Sequence, residues 1–492
     1  MRGLILFILA TLLGLSGRIF AEPSPLTPEK IETIDALVEQ RMEALKIPGV
    51  AIALIDDRRI VHAKGFGITE RLGQPVTADT PFQLGSVSKS FTALVVMQLV
   101  EEGLIGLDDP VVQHLRAFQT DTPIVSDTIT IRHLLNHRSG LSTFDGNRNQ
   151  HGGRDDERAL VEALQSLTGL HLKHTPGDVY EYSNANYQVL GALIEKVTDQ
   201  PYEVAVTERI LQPERMPNSF TNGADAPGVL PAIGHRYWIG RPAAFRGELG
   251  RAVTPQGGIY ASANDLAAYL LTYMQPSAGY ISGEGIAEML AGSNQDTEFD
   301  YGLGWMLQDY EDYRLVFHTG MSPGYQTIAG FSPDAEFGFV VLANTNSSFA
   351  SKNVGALLFG VSSLVMDLPP PEIGPGLGPL SFLWMMYLVP VGVAVEIFLF
   401  IRRYRKGTLP EPDRGFLNWS FVLHIVVPTL GYLGLAVAML WLIPTMNGAP
   451  MPAIALFNPD LAILLRMIGY SALVWAVVRL VLRLRTWRFI PR

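Results

Sequence analysis

The 492-residue chain contains no cysteine, and this absence excludes several chemistries at once. A disulfide framework, a thiol nucleophile and a Cys-ligated zinc or iron–sulfur site are all impossible. Charged residues are also scarce, at 17% of the chain, whereas 48% of the residues are apolar. A chain of this length and hydrophobicity is too long for one compact domain and too apolar to be disordered.

Basic residues are few in most of the chain and concentrate near its end. The last 113 residues contain 11 Lys and Arg against 4 Asp and Glu, whereas the preceding residues contain 26 against 43. The chain therefore has an acidic body and a basic tail. An acidic body argues against a protein that binds nucleic acid.

The N-terminus carries an apolar run from Leu4 to Leu15, directly after Arg2. A basic residue, an apolar run and a small residue at Ala21 are typical of an export signal, so residues 1–21 are predicted to be a signal peptide. A retained membrane anchor is the alternative. In both cases the following domain is expected outside the cytoplasm.

Three apolar runs near the C-terminus are each long enough to cross a membrane. They lie near residues 380–401, 416–443 and 461–478. Basic residues follow the first and third runs, and the loop between the second and third runs has none. By the positive-inside rule, the first loop and the C-terminus are cytoplasmic, so the sequence predicts a multi-pass membrane protein with an extracytoplasmic body.

Charged and ionisable residues inside the predicted spans could have a functional role. Glu396 and Arg466 lie at different depths, so we expect each to reach its nearer interface rather than to pair with the other. His424 is expected to form a hydrogen bond between packed helices. These residues therefore do not by themselves indicate transport.

The soluble body is predicted to span residues 22–366, and the Pro/Gly-rich residues 367–379 form a stiff linker. A β-hairpin is predicted near its start, in residues 49–63, and another near its end, in residues 326–342. Helices and loops fill the middle. Strands at both ends indicate one sheet assembled from the two ends of the body.

Ser86 and Lys89 begin a helical pattern that runs to about Glu102. Positions i and i+3 share one face of a helix, so the Ser86 hydroxyl and the Lys89 amine can meet. A buried lysine with a lowered pKa can act as the base that a serine nucleophile needs. This pattern alone is weak, because a capping serine with a solvated lysine produces it as well.

Two further motifs strengthen the interpretation. Tyr182-Ser183-Asn184 follows about 100 residues later, and His318-Thr319-Gly320 lies near the C-terminal hairpin. The three motifs in this order resemble the serine β-lactamase and penicillin-binding protein superfamily, in its class C β-lactamase-like branch. The resemblance also covers stretches such as residues 130–141, 257–262 and 301–305. It implies a mixed α/β (α+β) fold with an antiparallel sheet flanked by terminal helices, plus an all-helical subdomain.

The resemblance also implies roles for individual residues. Ser86 would be the acylated nucleophile, Lys89 would help to remove its proton, and Tyr182 would act as general acid or base. The substrate would be bound by Asn184, His318, Thr319 and Gly320, and the backbone amides of Ser86 and Met321 would form the oxyanion hole. No metal or other cofactor is implied.

His318 departs from the family pattern, because many relatives have lysine at this position. A histidine with an ordinary pKa is mostly neutral at pH 7, so we expect weak binding of a substrate carboxylate that strengthens as the pH falls. The departure makes β-lactam hydrolysis less certain. Peptides, esters and amides are equally compatible with the motifs.

Two competing motifs predict other chemistries. Gly320-Met321-Ser322-Pro323-Gly324 matches the nucleophile elbow of α/β-hydrolases, but the only later histidine is His424, in a predicted span. His133 and His137 have the i, i+4 spacing of metal ligands, but the intervening residues lack the expected glutamate and no third ligand is evident. We therefore expect neither arrangement to be functional.

The sequence leaves two functional hypotheses. The first is an exported, membrane-tethered serine hydrolase that forms an acyl-enzyme with peptidoglycan-type peptides, D-amino acid amides or esters, or β-lactams. The second is a non-catalytic sensor that binds a cell-wall ligand and signals through the spans. The presence of Ser86, Lys89, Tyr182 and Asn184 together favours the enzyme, since a decayed site usually loses one of them.

Overall fold

A computed structural model describes residues 22–69, 73–148, 156–221, 230–245, 247, 249–276, 280–293, 299–346, 354–373, 378–409 and 419–486. The predicted signal peptide, residues 1–21, lies outside the described residues. The chain divides into two compact units, one containing the described residues 22–373 and the other the described residues 378–486.

The first unit contains a main antiparallel sheet and two small sheets. Its strands, in chain order, are β1 (Gly49–Asp56), β2 (Arg59–Gly67), β3 (Phe82–Gln83), β4 (Phe220–Thr221), β5 (His235–Trp238), β6 (Arg241–Ala244), β7 (Ile259–Ala261), β8 (Asp300–Tyr301), β9 (Met306–Asp309), β10 (Arg314–Ser322), β11 (Tyr325–Ser332), β12 (Phe337–Ala343) and β13 (Thr345–Asn346).

Helices cover both faces of the main sheet and fill the middle of the chain. In chain order they are α1 (Pro28–Leu45), α2 (Ser88–Glu101), α3 (Val111–His114), α4 (Pro123–Ser126), α5 (Ile131–Leu135), α6 (Thr143–Gly146), α7 (Ala159–Leu167), α8 (Asn184–Thr198), α9 (Tyr202–Val206), α10 (Thr254–Gly257), α11 (Ala263–Met274), α12 (Gly283–Met289) and α13 (Gly355–Val365).

The main sheet has the order β2-β1-β12-β11-β10-β9-β8. β1 pairs antiparallel with β12, with Val50 opposite Ala343, so the two ends of the body meet in one sheet. Both predicted hairpins are present, as β1–β2 and β11–β12. The sequence prediction of one sheet built from both ends is therefore confirmed.

The central strands are buried on both faces, which explains their continuous apolar sequences. In β1, Val50, Ile52 and Leu54 pack into a core with α1 and α13, while Ala51 and Ala53 pack on the opposite face with α2 and α11. Alternate side chains of a strand point to opposite faces, so one strand contributes to both cores. This three-layer packing holds the start of α2 firmly against the sheet.

The described residues between α2 and β4 form helices and loops and contain no strand. This part of the chain is the predicted helical subdomain. Its helix α8 begins at Asn184, directly after Tyr182 and Ser183. The Tyr182-Ser183-Asn184 motif thus lies at the N-terminus of a buried helix.

The start of the predicted linker, residues 367–379, belongs to the folded body. Lys30 Nζ of α1 lies 2.8 Å from Asp367 Oδ1, and Arg41 Nη2 donates to the Pro371 carbonyl oxygen at 2.8 Å. The first residues of the predicted stiff linker are therefore held against α1. Pro and Gly content alone does not reveal that the side chains of a distant helix hold this segment.

The second unit is helical in its described residues. Its helices are α14 (Gly378–Arg405), α15 (Val422–Met446, preceded by the turn Trp419–Phe421), α16 (Met451–Phe457) and α17 (Pro459–Thr486). Among the described residues, two segments are long and apolar enough to cross a membrane, Val422–Met446 and Pro459–Arg485. Two candidate spans are found where the sequence predicted three. The predicted first span lies within α14, which is not one of these two.

The Glu396 side chain contacts two residues of α17. Its carboxylate accepts a hydrogen bond from Trp475 Nε1 and lies 3.5 Å from Arg479 Nε. From the sequence, only Arg466 was considered as a partner for Glu396, whereas the structure places Trp475 and Arg479 beside it. The identity of the partner depends on how α14 and α17 are rotated against each other.

Candidate active site

Ser86 lies in a short 3₁₀ turn, Gly85–Val87, that leads into α2. Gly85 has a φ of 55°, and a Cβ at this position would come within 2.5 Å of the Met321 backbone nitrogen. Only glycine allows both this conformation and this close approach. Ser86 itself is partly exposed, whereas Gly85 and Val87 are buried, so its hydroxyl is the accessible group of this turn.

Lys89, the second residue of α2 and one turn after Ser86, is completely buried. Its Nζ lies 3.2 Å from Ser86 Oγ and donates to Asn184 Oδ1 at 2.8 Å and to the Gln256 carbonyl oxygen at 2.9 Å. The predicted contact between the Ser86 hydroxyl and the Lys89 amine is therefore present.

Burial lowers the pKa of Lys89 well below the usual value for lysine, because removal from water disfavours the charged form. A neutral amine has two N–H donors and one lone pair. Two acceptors, on Asn184 and Gln256, use the two donors. The lone pair is then left for the third neighbour, the Ser86 hydroxyl, which is the arrangement that a general base requires.

Two further residues hold these acceptors in place. Asn184 Nδ2 donates to Asn147 Oδ1 at 3.0 Å, which fixes the orientation of the Asn184 amide. Thr92, one turn after Lys89 on α2, donates from Oγ1 to the Pro255 carbonyl oxygen at 2.6 Å and so holds the segment that carries Gln256. The sequence reasoning missed Asn147 and Gln256. Gln256 acts through its backbone, for which no sequence signal exists.

Tyr182 lies on the other side of Lys89, with its ring centroid 4.9 Å from Nζ. Its hydroxyl is buried and has no hydrogen-bond partner of standard geometry among the described residues. Burial raises the pKa of Tyr182 far above its usual value, and the neighbouring Ser86 hydroxyl offsets only part of this rise. Tyr182 therefore keeps its proton at neutral pH and can donate it.

His137 contacts the Tyr182 ring and both neighbours of Tyr182 in the chain. Its carbonyl oxygen accepts from the Glu181 amide at 2.9 Å, and its Nδ1 accepts from the Ser183 amide at 3.2 Å, so it holds both neighbours of Tyr182. Its ring is 4.3 Å from the Tyr182 ring, centroid to centroid. The sequence reasoning treated this residue only as a possible metal ligand. Its φ of 60°, which makes this clamp possible, is not visible in the sequence.

The spacing of His133 and His137 does not build a metal site. His133 Nδ1 accepts from the Thr130 amide in the N-terminal cap of α5, and His137 Nδ1 accepts from Ser183 and from Asn186 Nδ2. No cluster of three or more His, Cys, Asp or Glu side chains suited to a metal occurs among the described residues.

His318 lies on β10, with 2% of its surface exposed. Its Nδ1 is 2.7 Å from the Thr319 carbonyl oxygen, which can only accept, so Nδ1 carries the proton. Its Nε2 then accepts from the Tyr301 hydroxyl at 3.0 Å. Burial lowers the pKa of His318 to about 3. In this geometry the ring is neutral and both nitrogens have partners within the protein.

The remaining predicted residues lie where β10 passes the turn that carries Ser86. β9 pairs only with residues Arg314–Phe317 of β10, so the later part of β10 is open on that edge, next to the Ser86 turn. A Cβ on Gly320 would come within 1.9 Å of the Leu84 carbonyl oxygen, so glycine is required for this approach. Thr319 and Met321 are half-buried, and the Met321 amide adjoins Gly85.

The structure thus brings Ser86, Lys89, Tyr182, Asn184 and His318 into one largely buried cluster that includes part of β10. A family model described as Beta-lactamase matches residues 34–358, more than half of the 492 residues. The chain belongs to the beta-lactamase family. It is a member of the serine β-lactamase and penicillin-binding protein superfamily, as the three motifs predicted.

Individual relatives of this beta-lactamase-family protein are distant. The protein flp of Staphylococcus aureus strain MW2 is 28% identical over 333 residues, 67% of this chain and 66% of the relative. The chain therefore spans slightly less than two thirds of that relative. Penicillin-binding protein 4 of Amycolatopsis lactamdurans is 29% identical over 332 residues, 64% of this chain and 85% of the relative.

Two solved structures resemble the fold. The octameric penicillin-binding protein homologue from Pyrococcus abyssi has a TM-score of 0.58 at 27% identity, covering 70% of this chain and 79% of that chain. A D-stereospecific amidohydrolase from Streptomyces sp. has a TM-score of 0.54 at 25% identity, covering 63% of this chain and 94% of that chain.

We predict that His137→Ala lowers kcat by roughly 10- to 100-fold with little change in KM, because Tyr182 loses its position while β10 is untouched. His137→Asn should restore much of the activity, since asparagine tolerates positive φ and offers an acceptor. Steady-state kinetics of both variants test this prediction. A change confined to KM, or an inactive Asn variant that is as stable as wild type, would contradict the positioning role.

Proposed function

We propose that the protein is a membrane-tethered serine hydrolase that cleaves amide or ester bonds through an acyl-enzyme at Ser86. The observation that carries the proposal is the buried Lys89 amine, whose two donors are used by Asn184 and Gln256 and which lies 3.2 Å from Ser86 Oγ. Burying an amine costs free energy, and a purely structural role for Lys89 does not explain that cost.

In the acylation step, the Ser86 hydroxyl proton passes to the Lys89 lone pair as Oγ attacks the substrate carbonyl carbon. The negative charge that develops on the carbonyl oxygen is bound by the amides of Ser86 and Met321, and the start of α2 adds its dipole. The proton then moves from Lys89 through the Tyr182 hydroxyl to the leaving amine or alcohol. The products are an acyl-Ser86 ester and the free leaving group.

Deacylation reverses these proton movements. A water molecule attacks the acyl ester, its proton is taken up by the Tyr182 and Lys89 pair, and the Ser86 oxygen regains a proton as it leaves. Tyr182 with a raised pKa serves as a relay rather than as a stable phenolate. Each step conserves the proton count without a metal or cofactor.

The substrate proposal follows from His318. Because the ring is neutral and buried, it does not supply the fixed positive charge that would bind a carboxylate. This favours neutral amides and esters, including D-amino acid amides, over carboxylate-bearing β-lactams. The D-stereospecific amidohydrolase of similar fold supports the same substrate class.

The proposed location is a membrane, with the first unit on its extracytoplasmic face. The apolar helices Val422–Met446 and Pro459–Arg485 would anchor the protein, and the basic residues after α14 and at the chain end favour a cytoplasmic C-terminus. The body, proposed as residues 22–366, would then act on the extracytoplasmic face, after export directed by residues 1–21. A third crossing by α14 would make the three-span topology that this orientation requires.

The proposed acyl-enzyme is tested by intact-mass measurement after incubation with a fluorophosphonate and, separately, with a fluorescent penicillin. We expect one fluorophosphonate adduct per chain, which peptide mapping assigns to Ser86 and which Ser86→Ala abolishes. Labelling by penicillin should be slow. Absence of an adduct on Ser86 with both reagents would contradict the proposal.

We predict that His318→Lys raises kcat/KM for carboxylate-bearing β-lactams by about one to two factors of ten and leaves neutral esters nearly unchanged. The neutral variant His318→Gln, as a control, should give no selective gain. In wild type, carboxylate-bearing and neutral substrates should show parallel pH profiles between about pH 6 and 8, since His318 stays neutral there. If turnover of carboxylate-bearing substrates alone rose towards pH 6, protonated His318 would bind the carboxylate, as the sequence predicted.

A further inference from the structure

Thr327 lies on β11, directly opposite Gly320 of β10. It is completely buried, and its Oγ1 donates a hydrogen bond to the Leu84 carbonyl oxygen at 2.7 Å. Leu84 belongs to the segment that leads into the turn carrying Ser86, so this bond joins that segment to the main sheet. The proton transfers of the proposed reaction do not use the Thr327 hydroxyl.

The missing side chain of Gly320 leaves the space in which this bond forms. A Cβ at Gly320 would come within 1.9 Å of the Leu84 carbonyl oxygen and within 2.3 Å of Thr327 Oγ1. The hydrogen bond therefore passes beside the position that a side chain at residue 320 would occupy. Glycine at 320 and threonine at 327 act together, because the first allows the close approach and the second holds it.

Each end of the bond is close in sequence to one amide of the proposed oxyanion hole. Met321 directly follows Gly320, and Ser86 follows Leu84 by two residues. Between Leu84 and Ser86, a Cβ on Gly85 would come within 2.5 Å of the Met321 backbone nitrogen, so the two segments touch at this point. A change in the approach of Leu84 to Gly320 would therefore change the spacing of the two amides.

The segment before Ser86 is held on another side by backbone groups. The Leu84 amide donates to the Ile259 carbonyl oxygen of β7 at 2.8 Å, and the Ile259 amide donates to Ser88 Oγ at 3.1 Å. Towards the main sheet, the contact made by Thr327 comes from a side chain. A single substitution can therefore remove it and leave the backbone pairing of the strands intact.

We propose that Thr327 is a positioning residue of the oxyanion hole, whose hydrogen bond to Leu84 sets the spacing between the amides of Ser86 and Met321. This inference rests on the acyl-enzyme mechanism proposed above. An oxyanion hole stabilises the transition state only when its donors lie within hydrogen-bond distance of the developing charge. A small displacement therefore weakens it, although both donors remain present.

The test compares two variants of the full-length protein in detergent. Thr327→Val has nearly the same shape but no hydroxyl, and Thr327→Ser keeps the hydroxyl. Single-turnover acylation by 4-nitrophenyl acetate should slow by roughly 10- to 100-fold in the valine variant, less than the loss of a whole oxyanion donor would cause. The serine variant should stay within roughly threefold of wild type, because it keeps the donor. An unchanged rate in the valine variant, or equal losses in both variants, would overturn the proposal.

A sulfur-containing substrate separates a weakened oxyanion hole from a general loss of structure. The thionoacetate analogue of the ester has sulfur in place of the carbonyl oxygen, and sulfur accepts hydrogen bonds more weakly. Thr327→Val should therefore lower the ratio of the oxygen-ester rate to the sulfur-ester rate by roughly tenfold. An unchanged ratio would overturn the proposal, because inactive molecules lower both rates equally. If circular dichroism shows that the valine variant is unfolded, Thr327→Ala provides the same comparison.

The matched control is Thr272→Val on α11. Thr272 is also buried, and its Oγ1 donates to Glu214 Oε2 at 2.7 Å, which removes a comparable hydrogen bond from a place outside the candidate active site. This variant should lose stability but keep both the acylation rate and the ratio of the two rates. An equal fall of the ratio in this control would overturn the specific role of Thr327.

Fluorophosphonate labelling of the wild-type protein distinguishes failure of this inference from failure of the proposed function. A wild type without an adduct on Ser86 would contradict the hydrolase and, with it, the role of Thr327. A labelled wild type together with an unchanged oxygen-to-sulfur ratio in Thr327→Val would overturn the role of Thr327 alone.

Discussion

Replacing Lys89 with alanine is expected to reduce the rate of Ser86 acylation by at least ~10³-fold, because the nucleophile loses the only base within hydrogen-bond distance among the described residues. Lys89→Arg should be equally inactive, since a guanidinium is not deprotonated in proteins. The rate is measured by stopped-flow acylation with a neutral chromogenic ester. An active arginine variant would contradict the role as base and would leave Lys89 only a positive charge to contribute.

The control for this prediction is Lys64→Ala. Lys64 is half-exposed on β2 and forms its ion pair with Asp35, so its removal should cost little stability and no activity. Circular dichroism and thermal unfolding of the Lys89 variants separate loss of the base from loss of the fold. A folded Lys89→Ala protein that acylates at the wild-type rate would remove Lys89 from the mechanism.

Tyr182→Phe is expected to slow both acylation and deacylation by ~10² to 10⁴-fold, the usual range for a general acid or base. The ring contact with Lys89 and His137 remains in this variant, so the loss is specific to the hydroxyl. Pre-steady-state kinetics separate the two steps. If only acylation slows, a different group must activate the deacylating water.

Tyr187→Phe is the matched control, because it removes a buried hydroxyl of similar setting. That hydroxyl donates to the Leu135 carbonyl oxygen at 2.8 Å, so its loss should lower stability by about 1 kcal/mol and leave kcat nearly unchanged. Equal rate losses in Tyr182→Phe and Tyr187→Phe would show that Tyr182 acts only through packing.

Much of the fold could be predicted because its determinants are local. The apolar runs of β1, β11 and β12, with turn residues between them, determine the hairpins, and strands at both ends of the body require a common sheet. Ser86 lies in the 3₁₀ turn that leads into α2 and Lys89 lies in the first turn of α2, so their i, i+3 spacing brings the side chains together. The resemblance to the family then identified the remaining site residues, Tyr182, Asn184 and His318.

The parts that could not be predicted depend on contacts between distant segments. The Gln256 carbonyl oxygen is a backbone group, and Asn147, directly after α6, orients Asn184. The neutral state of His318 follows from burial beside Tyr301, so its ordinary pKa was the wrong reference. The pairing of Glu396 with Arg479 likewise depends on the rotation of two helices about 80 residues apart in sequence. Neither composition nor periodicity encodes these relations.

The proposed reaction requires a neutral Lys89 at the pH of the assay, and the pH dependence of single-turnover acylation measures this directly. With a neutral chromogenic ester, we predict a rate that levels off well below the ordinary pKa of lysine and falls only at lower pH, because burial lowers the pKa of Lys89 well below its usual value. A lysine of ordinary pKa would give a different profile. An acylation rate that keeps rising about tenfold per pH unit up to about pH 10 would contradict the neutral base at Ser86.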